Sequence, residues 1–419
     1  MVRGTDMKLI PALLLMAFAG TAGAAGFQLM EQNASGIGNA YAGSAAVAEN
    51  ASTIFFNPAG MTQLQARELS VGVSAVDASF KFDNKGSSVG AFAGSGEGGN
   101  AGGWAAIPNG YLSWALSKDL YIGVGVGAPF GLKTEYDNPW LGAAQATMFE
   151  IKTYNINPSV AYRVNDKVSL GFGLNWQHLE ATYKRQASIG AGAGVPVKLT
   201  LDDDSWGWNM GALFTLSPST KVGVSYRSAI QFHTTGDLDV NGVKANDAKA
   251  KIKLPDTAIL SVTQQLSDKW EMLGDVSWTG WSSIPKVDIM NATTGSATPS
   301  QTLDAKFNDT WRVALGANYK YSDSWKLKFG VAYDKTPVPN ASYRLVSLPD
   351  NDRVWFSFGT QWTPDKATKL DLGVSYIHVR DSNINNNQGT AAAPLRGRVT
   401  GEYNDSSILL LGGQYSRAF

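Results

Sequence analysis

The chain has 419 residues, with Lys+Arg 35 against Asp+Glu 35, so its net charge is zero and no basic surplus is available for nucleic acid. It has no cysteine, which excludes a disulfide scaffold, a thiolate zinc site and a cysteine nucleophile. Charged residues reach only 17%, below the roughly 25% of a soluble domain, whereas Gly 45, Trp 13, Tyr 15 and Phe 17 are plentiful.

The N-terminus predicts a signal peptide over 1–24. Lys8 precedes the apolar run 9–19, and Ala22-Gly23-Ala24 supplies a small-residue cleavage site. Met7 is the better start, because Asp6 weakens a positive leader when translation begins at Met1. The run is much shorter than the roughly 20 residues of a spanning helix, and no later stretch reaches that length. Any membrane crossing must therefore be made by strands.

Residues 25–66 differ from the remainder of the chain. The segment from Gly36 to Ala48 is small-residue-rich and weakly helical, and Pro58 stops any helix at Asn57. The segment is too long and too apolar for a linker, so it reads as a compact N-terminal plug of short helices and turns.

From 67 to 419 the chain alternates apolar and polar residues. Trp325, Leu327, Phe329, Val331 and Tyr333 are separated by Lys326, Lys328, Gly330 and Ala332, which places the two sets on opposite faces of a strand. Strands are predicted at 67–83, 104–117, 119–130, 146–164, 167–187, 197–216, 220–235, 249–267, 269–285, 302–321, 324–335, 352–363, 368–380 and 400–419. Their connections alternate between tight turns, such as Asn165-Asp166-Lys167 and Ser322-Asp323-Ser324, and longer loops near 84–103, 131–145, 188–196, 236–248, 286–301, 336–351 and 381–399. An even number of strands, about 14, with short periplasmic turns and long outer loops is the pattern of a transmembrane antiparallel β-barrel. Both termini then lie in the periplasm. A lysine facing lipid at the bilayer midplane costs roughly 2–4 kcal/mol, so Lys326, Lys328 and Asp334 are expected to face the lumen. Rings at strand ends, such as Trp311, Trp325, Trp362 and Tyr376, suit interfacial girdles. The last strand ends on Phe419, resembling the signal read by the outer-membrane assembly machinery.

Signals for catalysis are weak. His178, His233 and His378 lack a serine at recognisable spacing, and interfacial placement accounts for His178 and His378. No metal-ligand cluster is present in the sequence, and the glycine-rich 94–99 lacks the lysine and the strand–helix setting of a phosphate cradle, so no cofactor is expected. Two other features bear on transport. Pro108, followed by Asn109 and Gly110, sits in a segment that otherwise reads as a strand. A missing ladder N–H there gives either a gap in the wall, opening from lumen to lipid, or a strand end near a loop. Arg185, Arg344 and Arg353 lie near the outer ends of strands, and Arg353 has lumenal parity. Guanidinium groups there could bind a carboxylate, or stiffen loops by pairing with Asp350 or Asp352.

Several stretches carry a family likeness: Gly26-Phe27-Gln28-Leu29, Ser35 to Gly43, Asn57-Pro58-Ala59-Gly60, Gly131 to Tyr136, Tyr333 to Pro339 and Leu348 to Arg353. Together they resemble the long-chain fatty acid transporter family (FadL) of Gram-negative outer membranes, which also includes aromatic hydrocarbon channels. The resemblance implies a plugged 14-stranded barrel that takes up hydrophobic compounds passively. Ligand would bind among outer loops, then in an apolar lumenal pocket, and would leave sideways through a kink in the third strand. It places Gly26 and Phe27 beside the inner pocket and the Asn57-Pro58-Ala59 motif against the kinked wall. Asp334 and Arg185 fall where the family has polar ligand-site residues. Leu303 stands where the family has an outer-site lysine, with Lys306 nearby. The expected activity is uptake of long-chain fatty acids by a monomer, with lateral release into the bilayer. Uncharged hydrophobics such as monoaromatic hydrocarbons are the nearest alternative cargo. A general porin, a barrel lipase and a structural role compete with both.

Overall fold

The barrel wall arises from the alternation. In this computed structural model, which describes residues 26–188, 194–389 and 396–419, twenty strands form one sheet. In chain order they are β1 (Arg67–Asn84), β2 (Gly103–Ala115), β3 (Leu120–Gly127), β4 (Gly131–Glu135), β5 (Met148–Asn165), β6 (Val168–Ser188) and β7 (Gly194–Ser217). Next come β8 (Thr220–Arg227), β9 (Ile230–Val240), β10 (Val243–Leu254), β11 (Thr257–Gln265), β12 (Trp270–Thr279), β13 (Lys286–Asn291) and β14 (Gln301–Asp304). The last are β15 (Thr310–Lys320), β16 (Trp325–Asp334), β17 (Arg353–Trp362), β18 (Thr368–Val379), β19 (Ser382–Asn387) and β20 (Arg398–Ala418). Six pairs of consecutive strands are single staves with an interruption, for example β3 with β4 and β8 with β9, so the wall is a closed antiparallel barrel of 14 staves. β1 pairs with β20 from Glu68↔Ala418 to Asn84↔Gly401, which closes the sheet. The expected signal peptide lies outside the described residues. No described helix is long and apolar enough to cross a membrane.

Outward residues of the staves are apolar over the middle of the wall and aromatic at both rims. On β16 Phe329 and Val331 are exposed between Trp325 and Tyr333, while Lys328 and Asp334 are buried on the lumenal face. The lumenal parity expected for these charges is what the fold shows. Outside the bilayer the strands run on. The segment expected as a loop at 236–248 is a hairpin turning at Asn241-Gly242, both with positive φ, as a two-residue turn between β9 and β10 requires. β19 likewise lies inside the loop expected at 381–399. Above the lipid the outward face meets water, so apolar alternation fades while backbone pairing persists.

The hatch fills the lumen. Its turns are short: Ile37–Asn39, Thr53–Phe56 and Pro58–Gln63. Asn57 caps the last of them by accepting from Ala59 N–H, and Pro58 takes the first position, where a missing N–H costs nothing. Ala40, Ile54, Ala59 and Met61 are fully buried. Two wall glycines make the close fit possible. A Cβ on Gly330 would fall on the Asn39–Ala40 peptide, and one on Gly359 would stand 2.8 Å from the Gly38 Cα. Lys328 of β16, 1% exposed, anchors the hatch electrically: its Nζ lies 2.5 Å from Glu49 Oε1, 2.9 Å from Asp371 Oδ1 and 3.0 Å from the Ser35 carbonyl.

Candidate functional site

Three features of the lumen belong together: an interrupted wall, a strand-like N-terminal tip that backs it, and a cavity beside that tip. The interruption is in the third stave. β3 pairs with β2 only from Gly110↔Val126 to Ala115↔Tyr121, and β4 pairs with β5 alone. Residues 103–109 of β2 therefore have no ladder partner on that side. Ala128-Pro129-Phe130 separates β3 from β4 at this level. Proline supplies no N–H, so the break costs the sheet one donor fewer.

β2 itself runs unbroken through Pro108 and pairs there with Val73 of β1. The sequence points to an interrupted ladder at Pro108, and it is interrupted on the β3 side alone. The kink is in the neighbouring stave, at Pro129. Pro108 and Gly110 point outward, and Asn109 points into the lumen. The Asn109 side chain is buried, and neither its nitrogen nor its oxygen has a hydrogen-bond partner among the described residues.

The chain at 27–32 fills the breach from inside. Leu29 N–H donates to the Pro129 carbonyl at 2.8 Å, and Gly131 N–H donates to the Phe27 carbonyl at 2.9 Å. Gln32 Nε2 donates to the Ala128 carbonyl at 2.7 Å, and Tyr111 Oη donates to the Gln32 carbonyl at 2.7 Å. Phe27 packs edge-on to Trp281 at 4.8 Å and to Phe130 at 6.0 Å, within an apolar cluster that includes Leu132, Leu179, Phe232 and Phe307. Gly26 N–H donates to Asp350 Oδ2 at 2.9 Å.

Deeper in the lumen lies a small, partly open cavity. Met30, Phe56, Ile259 and Trp281 give it an apolar side, whereas Thr257, Ser277, Thr310, Arg227, Arg312 and Asp334 give it a polar one. It is thus more polar than the apolar pocket the family resemblance implies. Arg312, 4% exposed, donates from Nη2 to the Ala40 carbonyl at 2.7 Å and stands over the Trp355 ring at 4.9 Å. Its Nε and Nη1 have no hydrogen-bond partner among the described residues. Arg227 is held by the Phe55 carbonyl at 3.0 Å and by Asn175. Glu31, fully buried in the hatch, has no hydrogen-bond partner for either carboxyl oxygen among the described residues. Burial pushes its carboxyl up to about 7, with Arg353 and Arg312 pulling the other way.

The remaining residues singled out in the sequence divide by partner. Arg353 is committed to Asp350, with Nε at 3.0 Å and Nη2 at 2.6 Å from Oδ1. Arg344 donates to the carbonyls of Asp350 and Asn383. Lys306 Nζ donates to Tyr343 Oη at 2.7 Å on the exposed outer surface. Arg185 faces inward near the rim, close enough to Arg396 for the two to repel. Asn57 donates from Nδ2 to the Ala45 and Ala212 carbonyls, and a Cβ on Gly171 would meet Pro58 and Ala59. The Asn57-Pro58-Ala59 motif therefore packs against β6 and β7. The resemblance implies that it faces the interrupted stave; there it is Ile54 and Met61, on either side of the motif, that reach β3 opposite Gly123. His178 lies on the outer wall between Asp204 and Glu180. Arg312 is absent from the residues singled out in the sequence, although it shares lumenal parity with Thr310 and Ala314; the girdle residue Trp311 beside it is the more conspicuous mark.

Residues 15–419 match the family described as outer membrane protein transport protein (OMPP1/FadL/TodX). Outer membrane protein P1 of Haemophilus influenzae (strain ATCC 51907 / DSM 11121 / KW20 / Rd) is 30% identical over 89% of this chain and 90% of its own. The long-chain fatty acid transport protein of Escherichia coli O6:H1 is 28% identical over 88% and 90%. Among solved structures, a Pseudomonas aeruginosa FadL homologue has a TM-score of 0.84 at 23% identity, covering 94% of this chain and 99% of its own. The Ralstonia pickettii toluene transporter TbuX has a TM-score of 0.66 at 18% identity, covering 92% and 99%. At these identities the two structures speak to the fold.

Proposed function

This chain belongs to the OMPP1/FadL/TodX family of outer membrane transport proteins, and from that premise we propose that it carries long-chain fatty acids from the cell exterior into the bilayer. Family membership itself makes the chain an outer-membrane transporter of hydrophobic compounds. The observation that carries the finer reading is a buried arginine, Arg312, with two donor nitrogens free of hydrogen bonds among the described residues, on the wall of a cavity that also presents apolar side chains, hydroxyls, Arg227 and the cross-strand neighbour Asp334. A guanidinium in that setting favours an anionic head group, which can accept a charge-assisted hydrogen bond from Nε or from Nη1. Arg185 beside Arg396 supports an earlier stop for the same anion near the rim.

The geometry suggests a route. A fatty-acid chain gains about 0.8 kcal/mol per CH₂ on leaving water, so a path that stays apolar needs no energy input. The acid passes the rim, seats its chain near Phe27 and Trp281 with its head toward Arg312, and leaves where β2 lacks a partner. Departure requires the Phe27–Leu29 strand to withdraw from Pro129 and Gly131. A monoaromatic cargo is the second reading. It is favoured by the commitment of Arg344, Arg353 and Lys306 to protein partners, and by the toluene transporter among the structural likenesses.

Equilibrium binding to the detergent-purified protein separates the two. The acid is expected to bind at least tenfold more tightly than its methyl ester, and Arg312→Met is expected to remove that difference while leaving ester binding in place. Equal binding of acid, ester and a monoaromatic would move the reading to a neutral-hydrocarbon channel.

A further inference from the structure

The outward face of β10 carries a feature that transport does not use. Lys249, Lys251 and Lys253 alternate with Ala250, Ile252 and Leu254; the lysines are exposed and the apolar residues are buried toward the lumen. Successive lysines on one face of a strand lie about 6.6 Å apart, close enough to repel one another. Across the ladder on β9 they face Thr235, His233 and Gln231, none of which carries a negative charge. No ion pair or hydrogen bond satisfies any of the three ammonium groups among the described residues.

Their neighbours behave differently. Lys244 lies 2.7 Å from both Asp237 and Asp247, Lys286 lies 2.7 Å from Asp288, Lys152 lies 3.1 Å from Glu150, and Lys133 lies 2.8 Å from Glu135. Outer-rim lysines in this protein are thus commonly neutralised by a carboxylate placed beside them. On the other side β13 places Met290 opposite Lys249 and Asp288 next along, but Asp288 is taken by Lys286 and Thr302, so no carboxylate is bonded to the β10 row among the described residues.

Height on the wall identifies what could supply it. β10 continues the stave of β11, where Ala258 lies between Tyr226 and Trp278, and Trp278 pairs with Trp311 in the outer aromatic girdle. Lys253 precedes Ala258 by about five residues, which is about 16 Å along the strand and about 12 Å along the membrane normal at a tilt of about 45°. The row therefore runs from about 12 Å to about 21 Å above the girdle, at the level of headgroup sugars rather than acyl chains. In the outer leaflet of a Gram-negative outer membrane that layer is filled by glycolipid sugars bearing phosphate groups.

We propose that Lys249, Lys251 and Lys253 form a docking site for the sugar-phosphate headgroup of an outer-leaflet glycolipid. A strand with an ammonium group about every 6.6 Å matches a headgroup carrying several phosphates, which a single lysine would not. The site lies on the outside of the wall and is separate from the lumenal path, so lipid held there would not enter the cavity.

The test uses the full barrel in detergent with lipopolysaccharide as the probe, with bound copies counted by native mass spectrometry and affinity measured by titration. The triple variant Lys249→Gln, Lys251→Gln, Lys253→Gln is expected to bind about a hundredfold more weakly, at roughly fivefold per lysine near an anionic surface. Enzymatic dephosphorylation of the lipopolysaccharide is expected to lower wild-type binding by a similar factor. The paired-lysine controls Lys244→Gln and Lys286→Gln are expected to change binding less than threefold. Wild-type thermal unfolding in the triple variant shows that its wall is intact. Equal binding by wild type and triple variant, or no loss on dephosphorylation, would overturn the assignment.

Discussion

Lys328→Met should free the hatch from the wall. The ammonium of Lys328 joins Glu49 of the hatch, at 2.5 Å, to Asp371 of β18, at 2.9 Å, and also holds the Ser35 carbonyl at 3.0 Å. Removing it leaves two buried carboxylates facing each other, with Gln361 and the more distant Lys326, 3.5 Å from Glu49, as remaining donors. Stripping one partner from a buried ion pair costs about 3–5 kcal/mol. The loss falls on the docked state alone, because with the hatch out Asp371 is wetted. The fraction of detached hatch should therefore rise by about 150- to 5,000-fold. Hydrogen exchange of the amides at 26–66 reads this directly, and ionic conductance across a planar bilayer should rise in parallel. The triple variant Lys328→Met, Glu49→Leu, Asp371→Leu should recover most of the loss, since replacing the whole buried ion cluster by apolar groups is close to neutral. Unchanged exchange in the single variant would show that apolar fit, not this ion triad, holds the hatch.

Gly330→Val places a side chain on the Asn39–Ala40 peptide, so chymotrypsin should cut at Phe27, Tyr41, Phe55 or Phe56 where the parent protein resists; equal resistance would mean the wall yields instead of the hatch. Glu31→Gln should flatten a pH dependence of hatch stability. Burial raises the folded carboxyl from 4.5 to about 7, so the unfolded form loses its proton first as pH rises, and stability should fall by about 3 kcal/mol between pH 4.5 and 7 and stay level above. Hatch exchange that is independent of pH across this window in the parent protein would refute the burial argument. Phe27→Ala removes the ring packed on Trp281 and Phe130, a change that costs about 3–5 kcal/mol in a core, and stopped-flow release of a fluorescent fatty acid should speed up at least tenfold; equal rates would detach the tip from release.

The wall was legible because period two is a local signal and lipid is an unforgiving solvent. Lys328 and Asp334 could be assigned to the lumen from Val331 and Tyr333 alone. The break at Pro129 was not legible, because the alternation through Val124 and Val126 runs cleanly up to it. Pro129 is a local mark of weakened pairing, but that β2 and the third stave part there is a long-range property that the residue alone does not give. Pro108, by contrast, looks like a breaker in sequence, yet β1 holds it in register through Val73. Arg353 illustrates a second limit. Its parity gave its direction, but only the fold shows that Asp350, three residues away, already occupies it. The hatch has no periodicity at all, so the burial of Glu31 and the contact of Gly330 with the Asn39 backbone had no counterpart in the pattern.

The hatch is held unequally, and the imbalance bears on how a barrel can be sealed and still release cargo. Its body, from Ser35 to Met61, is bound by the Lys328 triad, by Arg312 on the Ala40 carbonyl and by Asn57 on Ala45 and Ala212. Detaching it means breaking a buried ion cluster worth several kcal/mol together with close backbone contacts that admit no partial separation. The tip at 26–29 is bound by two ladder hydrogen bonds, by Gly26 on Asp350, by Gln28 with Thr257 and Thr279, and by the Phe27 ring and the buried Leu29. At about 0.5–1.5 kcal/mol net per hydrogen bond, and with apolar cargo able to replace Phe27 against Trp281, withdrawal of the tip costs far less than withdrawal of the body. The low-cost motion is also the one that uncovers the unpartnered edge of β2. On the route proposed above, cargo would pass sideways while Glu49 and Lys328 keep the pore closed to ions.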